Sequence, residues 1–457
     1  MLRQNIYRSK STVYTMPTVD ISLATGLVTA TTTNAGAIVA RGIPYGIAER
    51  FRAAAPFPAW NGLRDATQRG PICPQGVSRL AWLVGDVTYG LSRDEQCLVL
   101  TVTAPAGAAD LPVMVWFHGG AYMAGTGEAA FYDADSLALE GGVVVVSVSA
   151  RIGLFGYLTP TGSGDSNVGL RDQLLALKWV RENIIAFGGD PGRVTAFGQS
   201  AGADSVLALM LSPDADGLFH RAILQSAPLR MRKDRGPMTA AMRTSLADAL
   251  QRNALTPSSA TTEQLLTMQK AIGDAAAAEY AATPAAQMTY GPIAGETPMS
   301  SPEDERARLK AIAPQIDLLI GHTEFDAAPF IAMASTKPHQ LPVADFNDNT
   351  FRDRVEALTK AEFADPQAAM VKDWTAAGGQ ATTYQVDWAP PEAPMRACHC
   401  IELPLLFGTP ETWAGTYMLG PTDNPIDQTL AKSVRGAWSG FARDGARSLP
   451  GHLVVGT

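Results

Sequence analysis

A serine hydroxyl attacks an acyl carbon only when a base removes its proton and the hydroxyl stands clear of its own backbone. The run Gly198-Gln199-Ser200-Ala201-Gly202 suits the second condition. In a G-x-S-x-G pattern the serine occupies a sharp turn between a strand and a helix, and the glycines keep side chains out of the crowded backbone. With 42 glycines in the chain the pattern can arise by chance, as a glycine-rich turn with a capping serine. The flanks favour the reactive reading: Val194-Thr195-Ala196-Phe197 reads as a strand, and a helical run follows from Ala201. A second signal is His118-Gly119-Gly120-Ala121, directly after an apolar strand ending at Phe117. Attack on an ester puts negative charge on the carbonyl oxygen, and backbone N–H groups aimed at that oxygen stabilise it. Gly119, Gly120 and Ala201 are the expected donors, and His118 is read as a structural hydrogen-bonder.

The surrounding pattern supplies a frame for these residues. The runs 113–117 and 143–148 are continuously apolar, as strands buried on both faces are. Leu170, Leu174, Leu177, Val180 and Ile184 recur at steps of three and four, which marks one helical face, and Gly188, Gly189 and Pro191 should stop that helix. Further strands are expected at 222–225, 316–320 and 382–386. This alternation predicts an α/β chain with a mostly parallel sheet and helices on both faces. The stretches 230–290 and 332–380 read as helical insertions over the edge where substrate enters. No internal repeat appears. The expected organisation is a disordered leader over residues 1–18 and a single domain over 19–457.

Apolar residues make up 46% of the 457 and charged residues 18%, an ordinary globular balance. The formal net charge of −8 argues against a nucleic-acid partner, which would need a basic face. No apolar run reaches membrane-spanning length, so no membrane partner is expected. The first residues carry basic side chains but no apolar core of a signal peptide. A cytoplasmic protein is therefore expected, with a secreted mature form left open. Four cysteines are too few for a disulfide scaffold. Cys73 and Cys97 could close a loop, whereas Cys398 and Cys400 stand too close in sequence for ordinary disulfide geometry. No second ligand pair supports a metal site at Cys398-His399-Cys400.

The chain resembles the type B carboxylesterase family, which includes bacterial p-nitrobenzyl esterases and the cholinesterases. The resemblance is densest in NVGLRDQLLALKWVRENIIAFGGDPGRVTAFGQSAG. It continues in RGIPYG, VMVWFHGGAY, VSARIGLFGYL, GLFHRAILQSA and HCIELPLLFG. It departs at Ala196, where the family has a larger aliphatic residue. The resemblance implies an α/β-hydrolase fold and a serine esterase working through an acyl-enzyme, with small-molecule ester substrates and no cofactor. It implies His399 as the base, because His399, Glu402 and Phe407-Gly408 match the family's pattern. Among the histidines at 118, 220, 322, 339, 399 and 452, only His399 does so. His220 reads as a packed helix-end residue. The acid falls at Asp326, where the family has glutamate, and Ala327 replaces a glycine; Glu324 is the rival.

The same likeness implies ion pairs Arg50–Glu95 and Arg151–Asp172, a Cys73–Cys97 disulfide that a reducing compartment would leave open, and Ser226 behind the triad. The segment Asp94-Glu95-Gln96-Cys97-Leu98 departs from the family's form. Ala121, Tyr122 and the two insertions are expected to wall the pocket. Two other readings stand beside this one. The same machinery could serve a carbamate, amide or lactone, and some relatives keep the fold as non-catalytic adhesion proteins.

Overall fold

A computed structural model describes residues 16–162, 164–232, 235–336, 340–421 and 426–456. The expected leader falls mostly outside the described residues, and Thr18 already belongs to a strand. In chain order the strands are β1 (Thr18–Leu23), β2 (Gly26–Thr32), β3 (Ala37–Pro44), β4 (Gly46–Ile47), β5 (Ala55–Pro56), β6 (Leu63–Asp65) and β7 (Val99–Pro105). Then come β8 (Leu111–Phe117), β9 (Val144–Val148), β10 (Gly189–Gln199), β11 (Arg221–Gln225), β12 (Asp317–Thr323), β13 (Ala381–Val386) and β14 (His452–Val455). The main sheet runs β1-β2-β3-β7-β9-β8-β10-β11-β12-β13-β14, with β6 beside β2; β4 and β5 pair separately.

From β9 to β14 every neighbouring pair is parallel. The strands β1, β2, β3 and β7, joined to β9 through β7, pair antiparallel, and only β6 lies parallel to its neighbour β2 among the described residues. The predicted strands are all present, and β10 starts earlier than expected. The helix Val168–Asn183 and a 3-10 turn Ile184–Phe187 end at Gly188 in the left-handed region, so Gly189 and Pro191 lie in the strand itself.

Side chains of one strand point alternately to the two faces of the sheet. Val113, Val115 and Phe117 of β8 join the cluster that includes Leu170, Leu174, Leu177 and Val180 of the helix Val168–Asn183. Met114 and Trp116 point the other way, to Phe197, Ile223 and Trp438, the last from the helix Gln428–Asp444. Both faces are thus covered, which is why β8 and β9 read as apolar runs, broken in β9 only by the buried Ser147. The stretch 230–290 forms helices Arg235–Arg252 and Thr262–Glu279. The stretch 332–380 carries Asn349–Thr359, a π turn Lys360–Ala364 and Asp365–Ala376. Among the described residues, no helix is long and apolar enough to cross a membrane. The parallel strands share one direction, so the segments that leave their C-terminal ends gather on one edge, where open α/β sheets bind ligands.

Candidate active site

Ser200 follows β10 directly and opens the helix Ala201–Met210. Its φ of 56° lies in the left-handed region, a strain of about 1–3 kcal/mol for a residue with a β-carbon. Two backbone bonds hold it there: Ser200 N–H donates to Gln225 O at 2.8 Å, and Asp204 N–H donates to Ser200 O at 3.0 Å. The flanking glycines are required by contact. A β-carbon on Gly198 would stand 2.5 Å from the Gly202 carbonyl carbon, and one on Gly202 would stand 1.9 Å from Phe117 O. The hydroxyl makes no capping bond to its own helix, so it remains free for other work.

His399 and Asp326 meet across 73 residues of chain. The imidazole Nδ1 lies 2.5 Å from Asp326 Oδ1, and both side chains are buried. The loop after β12 brings the acid: Glu324 N–H bonds Val386 O at the end of β13, and Phe325 N–H bonds Ala397 O, which tethers the histidine's own loop. Asp326 Oδ2 accepts from Ser226 Oγ at 2.6 Å and from Thr323 N–H at 3.0 Å. Burial pushes the Asp326 carboxyl upward, but the neighbouring His399 and these hydrogen bonds outweigh it and hold its pKa below the ordinary value. Glu324 stays exposed, with its pKa raised by partial burial and by Asp387. The structure brings Asp326, not Glu324, to the imidazole.

The other imidazole nitrogen is not bonded to Ser200. His399 Nε2 lies 3.0 Å from the side-chain nitrogen of Gln199. With Nδ1–H donating to Asp326, Nε2 carries a lone pair and accepts from the Gln199 amide. Ser200, His399 and Gln199 nevertheless line one small cavity of about 30 Å³, together with Gly120, Ala121, Ser78, Arg79, Leu80, Phe330 and Cys400. The expected hydroxyl–imidazole contact is therefore absent, while the two groups share one space.

Gly119 packs against the serine: a β-carbon there would stand 3.3 Å from Ser200 Cβ and 2.7 Å from Gln199 Oε1. The backbone N–H groups of Gly119, Gly120 and Ala201 have no backbone acceptor among the described residues. His118 Nδ1 lies 2.8 Å from Gly119 O. Burial drops its pKa to about 4, so it is neutral at pH 7 and rigidifies this loop.

Other described histidines are engaged elsewhere: His322 with Gln367, His452 with Thr383, and His220 with Val194 N–H. His220 stands just before β11 and not at a helix end. His339 lies outside the described residues.

Arg50 Nε reaches Glu95 Oε2 at 2.8 Å, and Arg151 Nε reaches Asp172 Oδ2 at 2.7 Å. Cys73 and Cys97 are buried free thiols and form no disulfide. Gln96, in the departing segment, bonds Ala48 through its side-chain amide. Tyr122 turns inward and donates to Asp204 at 2.8 Å instead of lining the pocket.

Sequence reasoning missed four neighbours of the site. Gln199 hid in the unnamed position of its motif. Phe330 packs edge-on and Phe363 tilted beside the imidazole, with ring centroids 5.1 and 5.9 Å away. Glu402, noted only as a marker, is wholly buried; it accepts from Gln225 at 3.1 Å, and burial raises its pKa to about 7.

A cavity of about 460 Å³ adjoins the small one through Ser78, Arg79, Gly120 and Ala121, and the helix Thr262–Glu279 walls it with Leu266, Gly273 and Ala277. A larger cavity of about 520 Å³ lies beside the helices Pro302–Ile312 and Asp365–Ala376 and contains none of the reactive groups. Polar geometry, not size, therefore locates the candidate site.

Residues 17–354 match the profile of the Carboxylesterase family. A probable N-octanoylanthranilate hydrolase, AqdA2, of Rhodococcus erythropolis is 35% identical over 426 residues, covering 90% of each chain. The para-nitrobenzyl esterase of Bacillus subtilis is 34% identical, over 92% of this chain and 88% of its own. The phenmedipham hydrolase of Pseudarthrobacter oxydans is 32% identical, over 90% and 87%. Among solved structures, a thermophilic PNB esterase superposes with a TM-score of 0.76 at 30% identity, covering 93% of this chain and 91% of that one.

Proposed function

The chain belongs to the carboxylesterase family, and from that membership we propose that Ser200, His399 and Asp326 are its nucleophile, base and acid. The protein is a serine carboxylic-ester hydrolase with an α/β-hydrolase fold. One observation carries the assignment of roles. A serine held at a strained strand–helix turn shares a cavity with an imidazole whose far nitrogen is bound to a buried carboxylate.

In the proposed cycle, the Gln199 amide yields Nε2 of His399, which takes the Ser200 proton as Oγ bonds to the ester carbon. The oxyanion lies on the N–H groups of Gly119, Gly120 and Ala201. The C–O bond to the alcohol breaks, and His399 returns the proton to the leaving oxygen. Water, deprotonated by His399, then attacks the acyl carbon; the C–Oγ bond breaks, His399 returns the proton to Ser200 Oγ, and the acid leaves. Asp326 keeps Nδ1 protonated and stabilises the imidazolium that forms at each step. The chemistry requires no cofactor.

Small to medium esters are the proposed substrates, a single domain that includes β1 is the proposed organisation, and the cytoplasm is the proposed location. Amide hydrolysis by the same groups is the second reading, favoured by the relative named as an N-octanoylanthranilate hydrolase. A fluorophosphonate probe tests the assignment: wild type should be labelled and Ser200→Ala should not. Equal labelling of both proteins refutes it.

A further inference from the structure

The cavity of about 460 Å³ has an apolar interior, with Met123, Leu266, Ala277 and Met288 among its walls. Three of its described lining residues are charged. Lys270 and Asp274 neutralise one another at 2.5 Å, which leaves Arg79 uncompensated. Arg79 is also the charged residue that lines the small cavity around Ser200 and His399.

Two contacts fix its guanidinium. Nη1 donates to Gln287 O at 2.8 Å, and the group lies over the Phe330 ring, 5.4 Å from the centroid. The Phe330 ring in turn packs edge-on to the His399 imidazole. The cation is thus held one aromatic ring away from the base. A guanidinium has five N–H donors in a planar fork that matches a carboxylate, and among the described residues only Nη1 meets a protein acceptor. Arg79 is solvent-exposed; desolvation by neighbouring protein atoms lowers its pKa below the ordinary value, and no carboxylate opposes that shift.

We propose that Arg79 anchors the carboxylate of an anionic ester whose apolar body fills the adjoining cavity, so that the enzyme prefers esters bearing a carboxylate over neutral isosteres. The proposal rests on Ser200 as nucleophile and adds a substrate class to that reading. The carboxylate belongs either to the leaving alcohol or to the acyl chain, and both positions present the same group to the same fork.

The test measures kcat/KM on matched pairs. For the leaving group the pair is 3-acetoxybenzoate and 3-acetoxybenzamide; for the acyl chain it is monophenyl suberate and phenyl octanoate. In at least one pair wild type should favour the anion by about tenfold, the scale of a charge-assisted hydrogen bond. That preference should weaken with added salt. Arg79→Gln should bring the anion-to-neutral ratio near one, and Arg79→Lys should restore part of it. Because the ratio is taken within one preparation, it does not depend on how much of a variant folds. No preference in either pair, or a ratio unchanged in Arg79→Gln, overturns the proposal. Failure of wild type to hydrolyse any of the four esters would instead count against the Ser200 reading itself.

Discussion

The Nε2 atom of His399 lies 3.0 Å from the side-chain nitrogen of Gln199, the residue immediately before Ser200. The proposed base is therefore engaged by a neighbour of the hydroxyl it would deprotonate. Freeing one hydrogen bond of about 1 kcal/mol corresponds to roughly a fivefold effect. Gln199→Ala should raise the rate of fluorophosphonate labelling by about that factor, measured as a second-order rate constant. A slower reaction would mean that the amide positions the imidazole more than it competes for it.

Ser200 combines a proposed nucleophilic role with backbone strain, and two substitutions separate these properties. Ser200→Ala and Ser200→Gly should both lower kcat on p-nitrophenyl acetate by about 10⁴-fold or more. Glycine tolerates a φ of 56° without the steric cost, so Ser200→Gly should unfold about 1 kcal/mol later than Ser200→Ala in urea. Equal stability of the two variants would show that the surrounding bonds relax the turn.

Asp326→Asn removes the charge that orients Nδ1–H, and kcat should fall by about 10⁴-fold. Glu324→Gln, altering an exposed side chain, should stay within about twofold of wild type. The pH dependence of stability has a defined sign. Asp326 has a folded pKa below its unfolded one, so its contribution is present above the unfolded value and is lost as pH falls through the folded one. Urea titrations below about pH 4 should therefore show a shallower loss of stability in Asp326→Asn than in wild type. Parallel acid curves would remove Asp326 as a source of that dependence.

Glu402 behaves in the opposite sense. Burial raises its pKa to about 7, so the folded state holds its proton after the unfolded chain has released it. Its contribution is full below about pH 4 and declines as pH rises toward 7. Glu402→Gln keeps an oxygen for Gln225 and cannot ionise. The variant should gain up to about 3 kcal/mol relative to wild type at pH 8 and little at pH 4, read from chemical denaturation. A gain independent of pH would point to packing instead of charge.

The parallel half of the fold was legible because strands covered on both faces show unbroken apolar runs. The antiparallel strands β1 to β3 were not, since their burial is mixed and their residues interleave with threonine and glycine. The helix Gln428–Asp444 buries Ala431, Val434, Trp438, Phe441 and Ala442 at helical spacing, a signal present in the sequence but left unread. Ser200 and the Gly119-Gly120 loop were visible because each is a local arrangement. The roles of His399 and Asp326 came only from resemblance, since spacing cannot join groups 73 residues apart. The engagement of His399 by Gln199 spans 200 residues, and nothing in either segment announces it.

The order in which the chain leaves the ribosome gives the position of His399 a further meaning. Gln199 and Ser200 emerge early, yet the imidazole lies on the loop after β13, and its companion Glu402 emerges after it. A growing or prematurely ended polypeptide that stops before this loop presents a bent serine without its base. Under the proposed roles, triad-dependent hydrolysis is withheld until the loop after β13 has been made, which keeps shorter chains from using their nucleophile.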